Sequence, residues 1–173
     1  MSETEDRTPV ECRPHERRWR NYCVDKSLKD EWLERLNDLE AFDLISICEG
    51  HGSNAETEHA RLPHFNLRLK SPIAERLDDI WSNVRKDVGS AIDRCFNNRF
   101  TAANFEFRSG FVKEPGEIHP QDIALLKLTS YVHILDFDAS YYNAAWFEDN
   151  VAAAEEFDRE LTSLLSRAGL TPE

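Results

Sequence analysis

The sequence predicts an α+β domain: an antiparallel sheet of about four strands from two hairpins, with helices packed on one of its faces. Three patterns carry that expectation. Apolar residues recur at helical spacing in some stretches, they alternate with polar residues in others, and the two kinds of stretch are segregated along the chain. The resulting order is helix, strand, strand, helix, strand, strand, helix. It looks like two strand-strand-helix units behind a leading helix, although no self-similarity marks a true repeat.

The first helix has Ser27 placed as its N-cap and Asp30 in its first turn, followed by a stripe of Leu28, Trp32, Leu33, Leu36 and Leu39. From Phe42 to Cys48 the period shortens to two, with Ile45 and Ile47 on one face and Leu44, Ser46 and Cys48 on the other. Gly50 and Gly52 end that strand. A polar loop from Ser53 to Leu62 leads to Pro63, and His64 to Lys70 alternates again: Phe65, Leu67 and Leu69 inward, His64, Asn66, Arg68 and Lys70 outward.

Ser71-Pro72 opens the second helix, with proline at the first helical position, where its missing donor costs nothing. Its apolar stripe runs from Ile73 to Phe96 past Gly89, where a bend or a split is expected. Ala103 to Val112 alternates, with Ala103, Phe105, Phe107 and Phe111 against Asn104, Glu106 and Arg108. Pro115-Gly116 is turn chemistry, and Ile123 to Leu135 is the partner strand of a second hairpin. The last helix runs from about Tyr141 to Ala168 with Gly169 as its C-cap, and its acidic residues Glu148, Asp149, Glu155, Glu156, Asp158 and Glu160 are expected to form a solvated face.

A chain of 173 residues with 40% hydrophobic content supports one core. Residues 1–10 read as a disordered acidic tail and 11–173 as a single α+β domain. The net charge of −12 argues against a nucleic-acid partner, since duplex binding depends on neutralising phosphates. No apolar run reaches bilayer length and the acidic N-terminus is unlike a signal peptide, so no membrane partner and a cytoplasmic location are expected. In that compartment Cys12, Cys23, Cys48 and Cys95 should be reduced thiols, Cys95 packing as a small hydrophobe beside Ile92 and Phe96. The basic, aromatic run from Cys12 to Cys23 should dock onto the acidic body through salt bridges and Trp19, rather than serve as an anion-binding arm.

Chemistry concentrates on the outward sheet face, which gathers Ser46, Cys48, His64, Asn66, Arg68, Lys70, Asn104, Glu106, Arg108, Lys127, Thr129, Tyr131 and His133. That set is locally positive in an acidic protein. His64, Asn66, Arg68, Glu106, Arg108 and Lys127 are therefore candidates to bind a small anion, a carboxylate or phosphate, through charge-assisted hydrogen bonds. The plainer expectation is a solvated face in which Glu106 pairs with Arg68 or Arg108 across strands.

Two further constellations share the loop after Cys48. Cys48, His51 and His64 could hold zinc or another divalent metal with Glu49 as base, and Cys12, His15, Cys48 and His51 could form a closed structural site. Cys48 could alternatively be a nucleophile with His51 or His64 as its base. The catalytic candidates are thus Cys48, Glu49, His51 and His64. Phosphate-binding glycine loops, serine-centred elbows and dinucleotide fingerprints are absent from the sequence. The second functional reading is a non-catalytic interaction or regulatory protein, engaging a protein partner through its acidic last helix or its basic N-terminal segment, or forming a homodimer.

Overall fold

Short strands open the chain. The computed structural model describes residues 11–50, 63–96, 101–109, 124–130 and 139–168, with the backbone alone described for 124–130 and 139–143. The expected tail at residues 1–10 lies outside them. Strands β1 (Glu16–Trp19) and β2 (Tyr22–Asp25) form an antiparallel hairpin closed by Arg20-Asn21. Arg20 takes the left-handed backbone (φ 51°) that so tight a turn requires. Residues of the hairpin dock as the sequence predicts: Trp19 and Val24 are buried in the core, Arg17 donates to Asp30 Oδ1 and to the Leu28 carbonyl at 2.6 Å each, and Arg20 pairs with Glu34 at 2.7 Å.

The cysteines differ from expectation. A turn in which Glu16 N–H donates to the Arg13 carbonyl at 2.9 Å folds the chain back over the hairpin, and Cys12 is disulfide-bonded to Cys23 across a Cα separation of 5.4 Å. Only Cys48 and Cys95 remain as thiols.

Helix α1 (Asp30–Asn37) begins later than Ser27 predicts. Lys29 occupies the N-cap position without a side-chain cap, while the Ser27 hydroxyl is bonded to the Glu49 carboxylate instead. Strands β3 (Phe42–Cys48) and β4 (His64–Leu69) form the first sheet hairpin, helix α2 (Ser71–Phe96) follows, and β5 (Thr101–Phe107) pairs with β6 (Ala124–Ser130). Antiparallel pairing of β4 with β6 joins the hairpins into one four-stranded sheet of order β3-β4-β6-β5. Tyr131 and His133 lie outside the described residues, as does Gly169. Helix α3 (Ala139–Arg167) closes the fold.

Strand β3 carries a bulge between Leu44 and Ser46. One extra residue inverts the alternation. Leu44 and Ile47 both pack against the core, Ile45 is left 42% exposed, and Asp43 joins Ser46 on the outer face. The expected grouping of Ile45 with Ile47 therefore fails at the point where the ladder slips. Gly89 neither splits nor ends α2, which runs through it unbroken.

The core lies between the sheet and the helices. Phe157 of α3 sits at its centre, with ring centroids 5.8 Å from Phe42, 6.1 Å from Phe96 and 6.1 Å from Phe105. Burying a side chain of this size contributes about 1.5–3 kcal/mol before cavity effects. A buried polar chain adds specificity: Thr101 Oγ1 donates to Asn150 Oδ1 at 3.0 Å, and Asn150 Nδ2 donates to the Trp146 carbonyl at 2.8 Å.

The acidic side of α3 is only partly solvated. Glu148, Asp149 and Glu156 are exposed, as expected. Glu148, however, accepts the Trp32 indole N–H at 3.1 Å, Glu155 is bonded to Arg35, Glu160 is paired with Arg94, and Asp158 is buried. These contacts clamp α1 and α2 to α3, and the Glu155 hydrogen bond holds Arg35 still more firmly protonated than usual.

Candidate functional site

The sheet register builds the outer face row by row. One row runs Ser46, Asn66, Lys127, Asn104; the next runs Cys48, His64, Thr129, Ala102; a third runs Asp43, Arg68, Leu125, Glu106. Four sequence-predicted ligand residues, His64, Asn66, Arg68 and Glu106, thus share one face with the register position of Lys127. Arg108 is exposed one residue beyond β5. Apart from buried Thr101, the described inward residues are apolar, and they pack into the core on the opposite face.

Charge on this face differs from expectation. Lys70 Nζ donates to the Leu39 carbonyl at 2.9 Å and so secures the end of the first helical segment rather than the face. The bulge brings in Asp43, which meets Arg68 at 4.0 Å. Two strand spacings, about 9.5 Å, separate Arg68 from Glu106 because β6 lies between them. Glu106 instead accepts from Asn104 Nδ2 at 3.1 Å. Arg68 and Arg108 are balanced by Asp43 and Glu106, and the described side chains carry no cationic excess there.

Compared with known protein families, curated proteins and solved structures, the chain matches none.

Of the metal and nucleophile candidates, Cys48 and His64 are direct cross-strand partners at the ends of β3 and β4. Cys48 is buried and Glu49 is half-buried. His51 lies outside the described residues. The closed set of Cys12, His15, Cys48 and His51 is overturned, because Cys12 is consumed by its disulfide and has no thiolate to offer. Glu49 is engaged by Ser27, and its backbone N–H donates to Asp25 Oδ2 at 2.9 Å. This ties the N-terminal hairpin to the end of β3.

A feature that sequence reasoning missed is a groove of about 470 Å3 between the C-terminal halves of α2 and α3. Val88, Ala91, Leu161 and Leu164 form its floor, with Arg94, Glu160 and Arg167 at its rim. The helical stripes place these apolar residues together, but only the packing of the two helices leaves the space between them.

Proposed function

We propose that this chain binds a small anionic ligand, a carboxylate or phosphate, on the outer face of its four-stranded sheet, with His64, Asn66 and Arg68 of the central strand β4 as its main contacts. The observation that carries this reading is the register, which sets the three residues on one face and aligns Asn66 with Ser46, Asn104 and the Lys127 position across all four strands. Asn66 Nδ2 already donates to Ser46 Oγ at 2.7 Å, so part of the row is oriented. The Asp43 pair does not block Arg68. Both partners are more than one-third exposed and 4.0 Å apart, and such pairs are worth about 0–1 kcal/mol, so an anion with better geometry displaces Asp43 at small cost.

The test uses inorganic phosphate and citrate as probes, reading the thermal midpoint and amide chemical shifts of the full chain. Binding raises the midpoint by mass action. His64→Ala and Arg68→Ala should reduce that rise while leaving the ligand-free midpoint nearly unchanged, and Asp43→Asn should increase it by releasing Arg68. Equal responses from all four proteins, or none with either probe, would remove the proposal. A solution dimer that dissociates on Ile45→Lys would replace it with the interaction reading, because Ile45 is an exposed apolar residue on the edge strand β3.

A further inference from the structure

The geometry points to a divalent metal site at the foot of the N-terminal hairpin, formed by His15 Nε2, Glu16 Oε1 and Asp25 Oδ1 and suited to zinc or a similar borderline cation. His15 Nε2 lies 3.9 Å from Glu16 Oε1 and 3.9 Å from Asp25 Oδ1. All three ligand atoms fall within 4.8 Å of one another. A cation with bonds of about 2.1 Å would hold tetrahedral ligand pairs about 3.4 Å apart, so the two His15 pairs must close by about half an ångström and the Glu16–Asp25 pair, within 4.8 Å, by at most about 1.4 Å.

The backbone assembles this trio. Glu16 and Asp25 are register partners across β1 and β2, so both side chains leave the same face of the hairpin. The second oxygen of each carboxylate is held from outside the trio: Arg13 N–H donates to Glu16 Oε2 at 3.0 Å, and Glu49 N–H donates to Asp25 Oδ2 at 2.9 Å. Outer donors of this kind orient metal-binding carboxylates. Lys26 N–H donates to the His15 carbonyl at 3.1 Å, and the Cys12–Cys23 disulfide closes the segment that carries His15.

The charge of the trio suits a divalent ion. The Asp25 side chain is only 7% exposed and has a second carboxylate beside it. A buried carboxylate is costly without a compensating charge. A divalent cation would offset both carboxylates. The imidazole tilts the set away from magnesium and calcium, which take oxygen ligands, and toward zinc and its neighbours. His15 is 49% exposed, which leaves the outward side to water as the remaining ligand. Through Asp25 and Glu49 the ion would pin the hairpin to the end of β3. The site uses no residue of the proposed anion face and stands or falls separately from it.

The experiment takes full-length protein purified without an affinity-metal step and treated with a chelator, then titrates zinc sulfate while following the thermal midpoint. Zinc should raise the midpoint of the native chain. His15→Ala and Glu16→Gln should each weaken the zinc affinity at least about tenfold. Both side chains are partly exposed, so the metal-free variants should melt close to the native chain, and either variant suffices if the other folds poorly. The cobalt-loaded protein should lack a thiolate charge-transfer band. Full-sized stabilisation by zinc in the folded variants, a thiolate band from Cys48, or no zinc-dependent stabilisation of the native chain would overturn the assignment.

Discussion

Asp158 of α3 accepts the backbone N–H of Ala41 at 2.8 Å with one carboxylate oxygen and that of Glu40 at 2.9 Å with the other. The two donors lie at the corner between α1 and β3, so one side chain fixes the angle at which the first helix hands the chain to the sheet. Asp158→Ala leaves a buried N–H without its charged acceptor. Hydrogen bonds to charged groups and stranded buried donors together put the expected loss at about 2–4 kcal/mol. Asp158→Asn, which keeps one acceptor oxygen, should lose less. Urea unfolding of both variants checks the order, and an alanine variant as stable as the native chain would show that the corner holds itself.

Gly89 lies on the exposed side of α2, and a Cβ built there meets nothing within 4 Å. Glycine in a helix interior costs roughly 0.5–1 kcal/mol relative to alanine, because its unfolded backbone has more freedom to lose. Gly89→Ala should therefore stabilise the protein by about that amount. An increase in denaturation midpoint at unchanged slope is the expected result; a decrease would mean that the helix needs flexibility at this position.

Where local periodicity and packing agree, the fold is readable from the chain. His64 to Leu69 alternates without interruption and becomes β4, and Ser71-Pro72 opens α2 as expected. Failures have a common cause in long-range geometry. The bulge at Ile45 is a property of register between β3 and β4, and no alternation within β3 reveals it. Strands β1 and β2 have only four residues each, too few to display a period. Asp158 is one of several acids in a helical run, and what sets it apart is the backbone of residues 40 and 41, more than a hundred positions away. The sheet-face candidates were legible because a period of two depends only on neighbours. Their charge balance was not, since Asp43 reaches the face through the bulge. The trio of His15, Glu16 and Asp25 needed the β1–β2 register to appear at all.

The disulfide yields a direct count. The sequence has four cysteines, of which Cys12 and Cys23 are bonded, so unfolded but unreduced protein should titrate two thiols per chain. Cross-linking residues 11 apart constrains the unfolded chain, and loop-closure entropy puts the stabilisation at about 2–3 kcal/mol. Cys12→Ser should lose that amount and loosen the hairpin that buries Trp19, visible as a change in tryptophan fluorescence. Four titrating thiols would restore the reduced state that the expected compartment implies.

Cys95 makes a prediction about pH. Burial is the largest cause raising its thiol, with the nearby Glu160 and Glu156 carboxylates adding to it, and the result is a shift from 9.0 to about 11. The neutral thiol is the form that the fold accommodates, so its contribution to stability is intact below pH 9.0 and is lost as pH climbs toward about 11. Alkylation requires the thiolate. The rate at Cys95, followed by mass spectrometry of the digested protein, should keep rising through pH 10 instead of levelling off near an ordinary thiol value. Glu160→Gln removes the larger carboxylate influence and should speed alkylation at pH 8, although it also frees Arg94 from its pair. Glu156→Gln, which has no such pair among the described residues' ion pairs, separates the two effects: acceleration there as well is the signature of field rather than of helix loosening. A rate that plateaus near pH 9 in the native chain would mean that the thiol meets water far more freely than its place between α2 and α3 allows.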